Sequence, residues 1–134
     1  MKTAVWLILL LWCSRFDIYR VPCAFCDSFV IKQQQFTENQ YARALWDSKP
    51  LVMGHRLIIP KRHVRRIEEL TDSEMLAIKK LISELNLKHY WVLQKNDMMQ
   101  SVPHVHFHII PKPEGASGFV FLTKSIIKRT LGGF

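Results

Sequence analysis

Nothing divides this chain. Its 134 residues carry no internal repeat and no Pro-, Gly- or Ser-rich linker, which excludes a solenoid and leaves room for one folded domain but not two. The one low-complexity patch, Gln33-Gln34-Gln35, is too short for a disordered tract. Cysteine is scarce: Cys13, Cys23 and Cys26 form an odd set of three, which argues against a secreted disulfide scaffold and for a reducing, cytoplasmic setting. A long apolar run is missing too. Lys2 followed by Thr3 to Trp12 has the outline of a signal peptide but no small-residue cleavage pattern. That stretch also falls short of the ~20 residues a membrane span needs, and the bulky Trp12 does not suit a lipoprotein-type Cys13. We therefore expect residues 1–20 to be an apolar extension of a domain spanning 21–134, with a membrane-interface anchor or an export signal as alternatives. Acidic residues are few, 11 against 19 basic, for a formal net charge of +8. The resulting field attracts phosphates, nucleic acid or an anionic membrane; it fixes the partner's sign and not its identity.

What is present suffices for a core, since 49% of residues are hydrophobic. Tyr41 to Trp46 and Arg56 to Ile59 read as strands, separated by the turn signals Ser48-Lys49-Pro50 and Gly54. Thr71 stands three residues before Glu74, and Met75, Ile78, Ile82 and Leu85 then recur at helical spacing, predicting a capped helix from about 72 to 86. Tyr90 to Gln94 and His104 to Ile110 follow as strands around a polar connection from Lys95 to Ser101. The order predicts an α+β fold, an antiparallel sheet with one main helix packed on it. A second, weaker amphipathic helix is expected from Phe119 to Lys128.

Three of the six histidines, His104, His106 and His108, fall at period two within five residues. In a strand, every second side chain points the same way at about 6.6 Å spacing, so the imidazoles form one stripe while Val105, Phe107 and Ile109 face the core. A His-rich solvent face and a metal site built on all three rings are the competing readings. A neutral imidazole is a good nucleophile for an activated phosphate. The central ring, His106, is the natural attacker, and the chemistry requires it to be open to phosphorus.

The stretch from His104 to Ile110, with Ser101-Val102-Pro103 before it, resembles the signature of the histidine-triad family. The resemblance extends over about residues 21 to 112: Cys23 and Cys26 are similar to the family's N-terminal cysteine pair, and Asp47 to His55 and Leu57 to His63 to its nucleoside-binding segment. It implies a nucleotidyl hydrolase acting through a nucleotidyl-histidine on His106, with a purine nucleotide substrate and a homodimer. Asp47 would hold the ribose hydroxyls. Ser101 and His108, with His104 completing the triad, would serve the phosphate, and Asn96 and Gln100 match polar nucleotide-binding positions. A third histidine where other branches carry glutamine favours hydrolysis over transfer. No catalytic metal is implied. The family's cysteine pair implies instead a structural zinc on Cys23, Cys26, His63 and His104, although a redox pair or two buried thiols also fit the spacing of the cysteines. His55 and His89 read as structural or surface histidines.

One segment departs from the family. Between Asn96 and Gln100 stands only Asp97-Met98-Met99, without the glycine that lets backbone approach a phosphate. Asp97 either turns to solvent or brings negative charge towards an anionic substrate. Two further hypotheses stay beside the hydrolase. A nucleic-acid end-processing enzyme is motivated by the basic run Lys61 to Arg66 and by Lys124, Lys128 and Arg129. A non-catalytic nucleotide- or zinc-binding module is motivated by the altered loop.

Overall fold

The computed structural model describes residues 23–112 together with Gly115 and Thr123; the apolar extension over 1–20, the basic residues near the C-terminus and the expected helix at 119–128 lie outside the described residues. After a 3₁₀ turn at Ala24–Cys26 come helix α1 (Ser28–Gln34) and strands β1 (Gln35–Glu38), β2 (Ala42–Trp46) and β3 (Arg56–Pro60). Helix α2 (Asp72–Glu84) then leads to β4 (Tyr90–Gln94) and β5 (Phe107–Pro111). The strands form one sheet in the order β1-β2-β3-β5-β4, and every neighbouring pair is antiparallel.

Helix α2 begins where the sequence signals it. Thr71 Oγ1 accepts from the Glu74 amide at 3.2 Å and Glu74 Oε2 accepts from the Thr71 amide at 2.9 Å, a complete capping box. It ends at Glu84, and Asn86 takes a φ of +49°, the left-handed conformation that closes helices. Its buried stripe is Glu74, Ala77, Ile78 and Leu81, whereas Met75, expected on that stripe, is exposed. Glu74 tolerates burial because Arg62 meets its carboxylate with Nε and Nη2, both at 2.8 Å.

The sheet is apolar on both faces. On one, Ala42, Ala44, Ile58, Phe107 and Ile109 pack with Ala77, Ile78 and Leu81 of α2, joined by Val64 and Val105. On the other, Leu45, Leu57 and Ile59 pack with Phe25 and with Ile31 of α1. Helix α1 and strand β1 were absent from the sequence expectation, and α1 gives the second face its cover.

Candidate active site

The histidine row follows from strand parity. Leu57 of β3 pairs with His108 of β5 and Ile58 with Phe107, so Phe107 and Ile109 belong to the α2 face while His108 stands on the α1 face. The regular ladder begins only at Phe107. His104 and Val105 are held by other bonds, His104 N to Val102 O at 2.8 Å and Val105 N to Val64 O at 2.7 Å. The alternation nevertheless persists: Val105 is in the α2 core, and the His106 and His108 ring centroids lie 4.9 Å apart.

Five imidazoles run in sequence along this face. His63 and His104 centroids are 5.2 Å apart, Phe25 stands edge-on to both His104 and His106 at 5.9 and 5.3 Å, and beyond His108 lies His55 at 5.1 Å. The openness expected of the central ring is corrected here. His104, His106 and His108 are 0, 1 and 2% exposed, with Phe25 packed edge-on against the first two.

The hydrogen bonds assign the tautomers of His55, His104, His106 and His108 from donors and acceptors alone, because a carbonyl only accepts and an amide N–H only donates. His106 Nδ1 lies 2.7 Å from the His104 carbonyl, so Nδ1 carries the proton and Nε2 the lone pair. Burial above all, then the His108, Lys95 and His104 neighbours, lowers the pKa of His106 to about 4 against the pull of that carbonyl. The ring is neutral at pH 7.

At the other end, the Leu51 amide donates to His55 Nδ1 at 3.2 Å. The His55 proton is therefore on Nε2, which sits 3.0 Å from His108 Nδ1 and 3.4 Å from Asp47 Oδ2. With Nδ1 accepting, the His108 proton goes to Nε2, a buried atom with no hydrogen-bond partner among the described residues. Asp47 completes the group, with Oδ1 accepting from the Lys49 amide at 2.8 Å and Oδ2 3.6 Å from His108 Nδ1. Burial pushes its carboxyl pKa up, but His108, the Lys49 amide and His55 prevail and hold it at about 2.

His55, given no site role from sequence, thus touches the row. Counting by twos back from Leu57 puts it on the His108 face, but only once β3 and β5 are known to pair. His89 is exposed, and its carbonyl accepts from the Lys112 amide.

The other expected residues lie around the row. Asn96 is occupied by protein: its Oδ1 accepts from the Ile67 amide at 3.1 Å and from Gln94 Nε2 at 2.9 Å, and its Nδ2 donates to Glu68 at 3.0 Å. Gln100 donates to the Arg65 carbonyl at 2.9 Å. Ser101 is exposed. Asp97 is exposed and ion-paired to Arg66, which also binds Glu68. With φ +49° Asp97 itself takes the left-handed conformation expected of a glycine. The basic run is largely neutralised within the chain, Lys61 by Glu38, Arg62 by Glu74 and Arg66 by Asp97 and Glu68.

Cys23, Cys26, His63 and His104 converge at the far end of the row. Cys23 Sγ and Cys26 Sγ lie 3.4 and 3.6 Å from His104 Nδ1, and Cys26 Sγ lies 3.2 Å from His63 Nδ1. Tetrahedral zinc with ordinary bond lengths separates a sulfur and a nitrogen ligand by about 3.6 Å, close to these distances. His104 Nε2 donates to the Pro60 carbonyl at 3.0 Å, which leaves the Nδ1 lone pair facing the sulfurs. Burial first, and then Cys23, pushes the Cys26 thiol up to about 11; a divalent cation reverses that by stabilising the thiolate.

Known proteins resemble this chain in sequence and fold. The chain is 37% identical to the adenosine 5'-monophosphoramidase HNT1 of Saccharomyces cerevisiae over 108 residues, covering 73% of this chain and 67% of that one. It is 34% identical to the asymmetrical bis(5'-nucleosyl)-tetraphosphatase of Schizosaccharomyces pombe, over 63% of this chain and 52% of that one. Among solved structures, the histidine triad nucleotide-binding protein of Candida albicans superposes with a TM-score of 0.57 at 26% identity, covering 82% of this chain and 97% of that one. Residues 28–115 match the HIT domain, and with its row of histidines standing on one face of the sheet, the chain belongs to the HIT domain family.

Proposed function

We propose that the protein is a nucleotide hydrolase that releases a nucleoside monophosphate, purine nucleotides included, from a small phosphoramidate, adenylate or dinucleoside polyphosphate. The observation that carries this reading is the pairing of two ring nitrogens: His106 Nε2 bears a lone pair because its Nδ1 is held by the His104 carbonyl, and the neighbouring His108 Nε2–H has no hydrogen-bond partner among the described residues. The first is a nucleophile and the second a donor for a phosphate oxygen.

The His106 Nε2 lone pair forms a bond to the α-phosphorus as the bond to the second group breaks and its electron pair leaves with that group. Water then attacks phosphorus, its proton passing to bulk water, and the N–P pair returns to Nε2. His108 Nε2–H donates to a non-bridging oxygen whose charge grows in the transition state. Asp47, kept ionised, accepts from the ribose hydroxyls. Ser101, at the exposed end of the connecting loop, serves the same phosphate. Because the side chains of Asn96 and Gln100 are spent on Ile67, Glu68, Gln94 and Arg65, they act on the nucleotide at one remove, by shaping that loop.

Cys23, Cys26, His63 and His104 would hold a structural zinc that fastens the segment bearing Phe25 to the loop bearing His63. His104 then serves the metal by its ring and catalysis by its carbonyl. Strand β4 is a sheet edge whose Tyr90, Trp91, Val92 and Leu93 are all exposed, which supports a homodimer pairing β4 with β4. Val92→Lys would then halve the mass in solution. Among the described residues no helix is long and apolar enough to cross a membrane, and Cys23 and Cys26 are free thiols; a cytoplasmic enzyme fits both. Of the basic residues that motivated nucleic-acid end processing, the run from Lys61 to Arg66 is largely paired, and Lys124, Lys128 and Arg129 lie outside the described residues.

The test is incubation with adenosine 5'-phosphoramidate, an adenylate and diadenosine tetraphosphate, followed by intact-mass detection of a nucleotidyl adduct. His106→Ala is expected to abolish both adduct and product in a folded protein. Full turnover by pure, folded His106→Ala refutes the reading.

A further inference from the structure

At the end of the row away from the cysteines, Asp47, His55 and His108 bring three donor atoms together. His55 Nε2 lies 3.0 Å from His108 Nδ1 and 3.4 Å from Asp47 Oδ2, and the third side of the triangle, His108 Nδ1 to Asp47 Oδ2, is 3.6 Å. A point equidistant from all three is about 1.9 Å from each. A cation with bonds of about 2.0–2.2 Å to imidazole nitrogen and carboxylate oxygen therefore sits a little out of their plane, with none of the three atoms displaced.

Hydrogen bonding leaves one side of this triangle unexplained. The single proton on His55 Nε2 serves His108 closely and Asp47 at longer range, so His108 Nδ1 and Asp47 Oδ2 face each other as two acceptors. A cation at the centre turns that opposition into two bonds. Two imidazoles and one carboxylate suit first-row divalent ions such as zinc or iron(II), whereas calcium and magnesium prefer all-oxygen sets. The fourth position would be left to water, as in open three-ligand sites.

We infer that Asp47, His55 and His108 form a cation site separate from the cysteine cluster, for a divalent transition ion of the zinc class, and that this ion and the nucleotide exclude each other because both use the Asp47 carboxylate. The exclusion rests on the hydrolase reading; the site itself does not. Binding moves one proton. His55 ligates when Nε2 gives its hydrogen to water and Nδ1 takes one up, so the ring keeps its charge while its tautomer inverts. Nδ1, which now accepts from the Leu51 amide at 3.2 Å, then faces it as donor against donor. The turn over 48–54, with Ser48, Lys49, Pro50 and Met53 exposed, has to give way at Leu51. His108 needs no change, since its lone pair already stands on Nδ1. The lost Leu51 bond makes this the weaker of the two clusters, filled only when zinc is in excess.

The experiment measures zinc uptake by wild type and Asp47→Asn with the ion in excess, and the affinity of each zinc-free and zinc-loaded protein for adenosine 5'-monophosphate. Because Oδ1 is held by the Lys49 amide at 2.8 Å, asparagine presents its NH₂ where Oδ2 stood and cannot ligate there. Wild type is expected to take up one zinc more than Asp47→Asn. In nitrogen-15 NMR of wild type, that zinc should shift both His55 ring nitrogens, His108 Nδ1 and the Leu51 amide, a readout that stands even if the variant folds poorly. Filling the site should weaken the nucleotide at least about tenfold, and the nucleotide should weaken the zinc by the same factor. Equal uptake by folded wild type and Asp47→Asn overturns the inference, as do His55 and Leu51 signals that stay in place as zinc is added. Zinc and nucleotide bound together at undiminished affinity overturn it too. A zinc-free wild type that does not bind the nucleotide removes the hydrolase reading instead, and uptake and NMR then decide the cation site by themselves.

Discussion

Replacing His55 by Phe tests the proton relay that equips His108. In the intact protein the Leu51 amide fixes His55 Nδ1 as acceptor, His55 Nε2–H points at His108 Nδ1 across 3.0 Å, and the His108 proton is thereby confined to Nε2. Without His55, the next group in reach of His108 Nδ1 is Asp47 Oδ2 at 3.6 Å. A carboxylate accepts, so the His108 proton moves to Nδ1 and Nε2 is left with a lone pair. The donor that should meet a phosphate oxygen becomes an acceptor facing an anion. Loss of a hydrogen bond to a charged group amounts to about 1.5–3 kcal/mol. With the added repulsion, kcat/KM should fall by roughly 10²- to 10³-fold, about 3–4 kcal/mol of transition-state stabilisation.

His55→Gln is the control, because an amide can still donate to His108 and accept from Leu51. It should recover much of the loss. Thermal melting is measured beside the kinetics, since the Leu51 amide left unpaired in His55→Phe is expected to cost about 1–3 kcal/mol of stability. Nitrogen-15 NMR of the histidine rings reads the tautomer directly. The relay is refuted if His55→Phe, folded, keeps kcat/KM within about fivefold of wild type, or if wild-type His108 carries its proton on Nδ1.

Other outcomes follow from the same geometry. Burial lowers the His106 pKa from 6.5 to about 4, so the ring stays neutral through the mildly acidic range and the acid limb of kcat/KM assigned to it should fall near 4; a limb at 6 to 7 contradicts this. The same depressed value makes the unfolded chain the better proton binder between 6.5 and 4, so stability present above 6.5 should be lost as pH falls towards 4, as urea midpoints would record. Glu74→Gln should cost about 1 kcal/mol at neutral pH, discounted for the half-exposed Arg62, and the difference from wild type should vanish as pH falls through about 2, to which Arg62 lowers the Glu74 carboxyl from 4.5. Cys26→Ser should abolish stoichiometric zinc by elemental analysis and lower the melting temperature, with a loss near 3 kcal/mol if free zinc stands about a hundredfold above its dissociation constant.

Much of the fold was legible where one face is buried and the other is not. The capping box at Thr71 and Glu74 and the apolar repeat after it marked α2, and the apolar run from Tyr90 to Gln94 marked β4 at the bounds observed, although its side chains are exposed at the sheet edge. Helix α1 was hidden because seven residues hold only one buried side chain, Ile31, too little for a 3.6-residue period to register. Strand β1 was hidden because the positions it turns inward, Gln35 and Thr37, are polar, so its alternation carries no apolar signal. The histidine row was readable because parity is local. What reaches it from another strand was not: His55 depends on β3 pairing with β5, whereas Asn96, singled out by the resemblance, has its amide taken up by the 67–68 turn.

The burial of His106 looks like an obstacle to catalysis, yet it supplies what the reaction requires. An imidazole at the surface keeps a pKa near 6.5 and is partly protonated, hence partly without a nucleophile, in mildly acidic solution. Packed beneath Phe25, the ring holds its lone pair down to about pH 4. Phe25 stands between the two cysteines, and Cys23 and Cys26 reach His104 and His63. A cation at that end would fix the base of the cover without touching the reacting atoms, so a structural zinc there would be coupled to the proposed nucleophile His106 through one aromatic ring.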